Sequence, residues 1–137
     1  MKIAICGSMT HSNNMIEIAK ELSNLGHKTI LPKFVDNYVK LSSPEEKHNE
    51  SVKNKIKYNL IKRYFDEIKN TDAILVINKE KNSIKNYIGA NTLIEMAFAH
   101  VLDKKIFLLN EIPELNCKEE IVAMSPVILN GDLTKVR

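Results

Sequence analysis

Ala73-Ile74-Leu75-Val76-Ile77 is an unbroken aliphatic run with no polar residue on either alternate face. A strand that apolar on both faces is stable only when both faces are covered, which calls for a layered α/β architecture. The rest of the chain supplies the parts. Ile3-Ala4-Ile5-Cys6, His27 to Pro32, Lys105 to Leu109 and Val127-Ile128-Leu129 are further short apolar runs. Between them stand segments with helical spacing. Met15, Ile16, Ile18, Ala19, Leu22 and Leu25 form one helical stripe, with Asn13 or Asn14 placed to cap it and Gly26 placed to end it. Val52, Ile56, Leu60, Ile61, Tyr64, Phe65 and Ile68 form a second. A helix over Leu93 to Leu102 and a short one around Glu119 to Met124 complete the set.

This alternation predicts one α/β domain over residues 1–137, a three-layer αβα fold with an open parallel five-stranded sheet of the Rossmann/flavodoxin-like kind. In such sheets ligands bind at the carboxyl ends of the strands. Gly7 to Asn13 follows the first strand and Asn78 ends the central one, so both are candidates for that edge. Gly7 permits close backbone approach and Ser8 adds a hydroxyl. The loop has no G-x-G-x-x-G pattern, so a dinucleotide fold signature is absent, and no cofactor or metal is expected. Lys33 to Ser51 is polar and reads as a lid-like excursion over the same edge, with a helix start at Ser43-Pro44-Glu45-Glu46. His48 reads as a solvated histidine.

The net charge is +3 and the pI near 8.8, but Arg63 and Arg137 are the only arginines. Bidentate reading of phosphates and guanines usually falls to arginine, and no basic block is interleaved with aromatics. A macromolecular nucleic-acid partner is therefore not expected. No apolar run is long enough to span a bilayer, and no leader is visible before the first strand, so no membrane association and a cytoplasmic location are expected. Cys6 and Cys117 are unpatterned, in keeping with reduced thiols.

One side chain is out of place on composition alone. Glu95 is the only formal charge between Lys85 and Asp103, and aliphatic residues flank it on both sides. Two readings stand. Thr92 and Glu95 form a capping box at a helix start, or Glu95 is a carboxylate held in an apolar crevice for chemistry, where its desolvation must be offset. The helix that carries it is apolar almost all round, which predicts a second covering layer beyond the sheet, most simply another subunit in a homodimer or higher homo-oligomer.

Three stretches together resemble the nucleoside 2-deoxyribosyltransferase-like family, which includes the 2′-deoxynucleoside 5′-monophosphate N-hydrolases. They are Cys6-Gly7-Ser8-Met9, Thr71-Asp72-Ala73-Ile74-Leu75-Val76 and Asn91-Thr92-Leu93-Ile94-Glu95-Met96-Ala97. The resemblance runs from the first strand through Lys105-Ile106-Phe107. It implies cleavage of the N-glycosidic bond of a deoxynucleoside or its monophosphate, with Glu95 attacking C1′ and water or a free base accepting the sugar. The enzyme would thus be a hydrolase or a transferase on a small-molecule substrate. Gly7, Ser8, Met9, Asn78, Gly89, Asn91 and Thr92 would line the substrate site, and Ser125 would reach it across a dimer interface. The family usually has an Asp where this chain has Tyr64, so the general acid is open between the Tyr64 hydroxyl and Asp66. The monophosphate hydrolases have an arginine where Thr10 stands and a serine where Gly89 stands, which leaves selectivity for a 5′-phosphate open. Two further readings remain: a non-catalytic nucleotide-binding module of the same fold, and a glycohydrolase of another N-riboside such as NAD.

Overall fold

The computed structural model describes all residues except Phe34 and Ser42, and all side chains but those of these two and of Ser51, Lys55 and Lys57. Five strands, β1 (Lys2–Gly7), β2 (Lys28–Ile30), β3 (Ala73–Ile77), β4 (Lys105–Leu108) and β5 (Val127–Ile128), form one parallel sheet in the order β2-β1-β3-β4-β5. β3 is central and each of its residues is buried, as its unbroken aliphatic run requires. Successive side chains of a strand point to opposite faces, and the two cores follow that parity. Ile3, Ile5, Ala73, Leu75 and Ile77 pack with Met15 and Leu22 of helix α1 (Ser12–Asn24). Ala4, Cys6, Ile74 and Val76 pack on the other face with Tyr64 and Ile68 of α4 (Leu60–Lys69), Met96 and Ala99 of α5 (Ala90–Val101) and Ile121 of α6 (Lys118–Ala123). The result is the expected three-layer αβα fold. Its strand order is that of the flavodoxin-like doubly wound sheets, whose order reverses between β1 and β3.

Local chemistry explains most element ends. Gly26 has φ +87°, its N–H meets the Ser23 carbonyl at 3.0 Å, and the His27 N–H meets that of Leu22 at 3.0 Å, the two bonds of a Schellman stop to α1. The start of α1 differs from expectation: the helix begins at Ser12, ahead of Asn13 and Asn14, and no side chain caps it. Asp72 accepts the Lys2 N–H at 2.7 Å and so fastens the start of β3 to that of β1.

The second apolar stripe is not one helix. Asn59 takes a left-handed conformation, φ 49°, and divides it into α3 (Pro44–Tyr58) and α4. A left-handed residue redirects the chain, so the stripe's two halves no longer share a face. Val52 and Ile56 are consequently exposed, while Lys47 and Asn54 of α3 are buried. Ser43 caps α3 by accepting the Glu46 N–H at 3.2 Å, with Pro44 in the first turn, as the sequence predicts. α3 and the short α2 (Val35–Val39) lie against the loop after β1 and are joined by Asn54 Nδ2 donating to the Tyr38 hydroxyl at 2.9 Å. No helix among the described residues is long and apolar enough to cross a membrane.

Candidate functional site

The carboxyl ends of β1 and β3, where the strand order reverses, open into a cavity of about 720 Å³. The loop after β1, the segment after β2, α2, α3, α4, the loop after β3 and the first turns of α5 all contribute to its lining.

Gly7 lets the loop after β1 turn where it must. Its φ is +152°, and an added Cβ would stand 3.1 Å from the Ile77 carbonyl oxygen and 3.3 Å from Met15 Cε. Ser8 follows and accepts the Thr10 N–H at 3.3 Å, capping a single 3₁₀ turn, Met9–His11. Across the cavity, the loop after β3 makes a two-residue turn. Asn82 and Ser83 both have positive φ, and Lys81 and Ile84 exchange backbone hydrogen bonds of 3.2 and 2.9 Å. This turn directs Lys81 back over the site: its ammonium donates to Ser8 Oγ at 2.9 Å and lies 5.7 Å from the centre of the Tyr87 ring. From above, Lys47 of α3 reaches the same loop, donating to Ser12 Oγ at 3.1 Å and to the Thr10 carbonyl at 3.4 Å.

Glu95 lines the cavity with 8% of its surface exposed. The capping box does not form. α5 starts one turn earlier than that reading needs, with Gly89 at the N-cap and no side-chain cap, so Thr92 lies inside the helix and Glu95 in its second turn. The carboxylate instead accepts Asn91 Nδ2 at 3.1 Å from the preceding turn. Cys6 and Tyr64 surround it from β1 and α4. Burial pushes the Cys6 thiol up, and the adjacent Glu95 charge and its hydrogen bond push it further. Burial also raises the Tyr64 phenol, helped by Cys6, Glu95 and Glu67. The Tyr64 hydroxyl donates to the Ile5 carbonyl. Tyr64 is therefore both a core residue and a lining residue, and its proton is committed to the backbone of β1.

Of the other residues singled out from sequence, Gly7, Ser8, Met9, Asp66, Gly89, Asn91 and Thr92 line the cavity. Asn78 and Ser125 do not. Asn78 is fully buried and its amide is used up in clamping β3 to β4: Nδ2 donates to the carbonyls of Asn110 and Glu111 at 3.1 and 2.9 Å, and Oδ1 accepts the Asn110 N–H at 2.9 Å. Ser125 is exposed after α6, in a left-handed conformation of φ 51° that ends the helix. His48 is exposed, as expected, yet stands at the cavity rim.

Sequence reasoning missed Lys47, Lys81, Tyr87, Arg63 and Glu67, all lining residues. Lys81 left a trace: Asn82-Ser83 between two extended positions suits a primed turn. Lys47 left none, because among so many lysines nothing local distinguishes the buried one.

Fold and site together define a doubly wound α/β protein with a ligand cavity at its topological switch point, walled by lysines on one side and a buried glutamate on the other. The chain matches no protein-family model and no curated protein sequence.

Proposed function

We propose that this protein cleaves the N-glycosidic bond of a 2′-deoxynucleoside or its 5′-monophosphate, with Glu95 as nucleophile. The observation that carries the reading is the Glu95 carboxylate itself, lining a cavity large enough for a nucleotide, almost wholly shielded from solvent and oriented by Asn91. Glu95 attacks C1′ as the bond from C1′ to the base nitrogen breaks through an oxocarbenium-like transition state. The departing base takes a proton from water at the α4 wall, where the exposed Asp66 carboxylate lines the cavity. A second water, with the Asp66 carboxylate as general base, then attacks C1′ and releases Glu95, and the proton passes from Asp66 to the hydroxide left by the first step. With a free base in place of water the same intermediate gives transfer. Tyr64 holds β1 against α4 beneath the reacting groups rather than donating to the base, because its hydroxyl is engaged by Ile5.

The test is direct. Each of a panel of deoxynucleosides and monophosphates is incubated with the protein, with and without an acceptor base, and free base is measured by chromatography. Base released by the wild type and lost in Glu95→Gln is the expected result. No release from any substrate overturns the reading.

A second reading is a binding module without turnover. The loss of the family's Asp at Tyr64 favours it, since that position now has no free proton to give. Ligand-dependent thermal stabilisation without base release would establish it.

The outer side of α5 supports a homodimer. Ile94 and Val101 are exposed there, and Phe98 packs edge-on against Phe65 of α4 at 5.0 Å beside the exposed Ile61. Sedimentation of the wild type against Val101→Lys tests this; a monomeric wild type overturns it.

A further inference from the structure

We propose that Cys6 is a positioning residue for Glu95: its thiol, donated from the end of β1, holds the carboxylate at the cavity wall and so sets where the nucleophile meets C1′. The proposal rests on the glycosidic reading for the reaction that the carboxylate performs. The hold of thiol on carboxylate stands on the arrangement of β1, α4 and α5.

Cys6 precedes Gly7 at the end of β1 and is fully buried. Its side chain shares a face of the sheet with Ala4, Ile74 and Val76, the face that α4 and α5 cover. Strand parity thereby turns the thiol toward the second turn of α5, where Glu95 is buried at the cavity wall. The thiol hydrogen-bonds the Glu95 carboxylate and also meets the Tyr64 hydroxyl. Tyr64 in turn donates to the carbonyl of Ile5, the residue before Cys6, so α4 fastens the stretch of backbone that carries the thiol. Burial first, and then the charge and hydrogen bond of Glu95, push the thiol well up from its ordinary value. At neutral pH the sulfur therefore keeps its proton and donates it to the carboxylate.

Two donors thus reach Glu95 from different elements. Asn91 belongs to the same helix, so its bond moves with α5 and fixes the carboxylate relative to that helix alone. Cys6 belongs to β1, whose next residues, Gly7 and Ser8, line the cavity. Its bond ties the nucleophile to the frame in which the substrate lies, and a displacement of about 1 Å there costs about 10²-fold in rate. Sulfur suits the task. Attack on C1′ neutralises the carboxylate, so a strong donor would stabilise the group before the reaction more than during it. A thiol is a weak donor and orients the carboxylate with little loss of nucleophilicity.

The test pairs a spectroscopic readout with kinetics. Cys117 is the only other cysteine, so in Cys117→Ala protein the S–H stretching band belongs to Cys6. A hydrogen-bonded S–H stretches at lower frequency than a free one, and Glu95→Ala is expected to move the band up. In turnover, Cys6→Ala is expected to lower kcat about tenfold at unchanged KM, and Cys6→Ser, which keeps a donor, to restore most of the loss. If Cys6→Ala does not fold, Cys6→Val, which fills the space without a donor, takes its place. A band unmoved by Glu95→Ala overturns the proposal. So does a donor-less variant as fast as the wild type, or a Cys6→Ser protein as slow as the donor-less one, the pattern of a cysteine that only fills the core. A wild type that releases no base overturns the glycosidic reading instead, and the infrared band then decides by itself whether Cys6 holds the Glu95 carboxylate.

Discussion

Asn91 and Glu95 lie one helical turn apart on α5, and the amide of the first donates to Oε1 of the second at 3.1 Å. The bond helps to hold the carboxylate at the cavity wall, beside the Cys6 thiol to which it is also hydrogen-bonded. Glu95→Gln is expected to abolish base release, by about 10⁴-fold, while leaving the fold intact. Asn91→Ala removes one hydrogen bond to a charged group, and a loss of about tenfold in kcat/KM is expected. Steady-state kinetics on the two variants check this ordering. An Asn91→Ala protein as inactive as Glu95→Gln would mean that the amide does more than orient.

Tyr64→Phe removes the hydroxyl that satisfies the Ile5 carbonyl but keeps the ring. A stability loss of about 1–2 kcal/mol is expected, read as a lower urea midpoint. Activity should fall much less than in Glu95→Gln. Comparable loss of activity at unchanged stability would make the phenol a proton donor after all.

His11 gives a pH dependence whose sign follows from its environment. Its folded-state value lies below the ordinary 6.5 because of desolvation and then the nearby Lys79, Lys81 and Lys47 charges. The unfolded chain therefore binds the proton first. The contribution of neutral His11 to stability is full above pH 6.5 and declines as pH falls, until the folded-state histidine is also protonated. Urea midpoints between neutral and mildly acidic pH should drop more steeply for the wild type than for His11→Gln. Parallel curves would show that the imidazole does not contribute.

Gly7 and Gly26 predict different costs for the same substitution. Both have positive φ, but a Cβ at Gly26 meets nothing within 4 Å, whereas at Gly7 it meets the Ile77 carbonyl oxygen at 3.1 Å. Gly26→Ala should cost about 1 kcal/mol from backbone strain alone. Gly7→Ala should cost more, and by moving Ser8 it should also weaken ligand binding. Thermal melts with and without a deoxynucleoside monophosphate separate the two effects.

Much of the architecture was legible because it depends on local patterns. A five-residue aliphatic run bounded by polar residues suits a doubly covered strand, glycine after an apolar stripe can stop a helix, and Ser43-Pro44 can start one. Those rules act over a few residues, and the strands, the α3 cap and the Gly26 stop follow from them. The isolation of Glu95 among apolar neighbours was visible for the same reason.

What composition and spacing did not contain is how distant segments meet. Whether Thr92 caps α5 or lies inside it depends on where the loop after β3 delivers the chain. Whether Val52 and Ile56 are core or surface depends on one left-handed residue, Asn59, whose conformation reorients everything before it. Asn78 sits at the right edge of the sheet for a ligand, yet its amide is consumed by Asn110 and Glu111 just after β4, partners distant in sequence. The same holds for the lysines: only burial by α3 and the turn after β3 distinguishes Lys47 and Lys81 from the solvated remainder. Secondary structure is written in short-range sterics and hydrogen bonding, whereas the polarity of the cavity arises from charges that only tertiary packing brings together and shields from water.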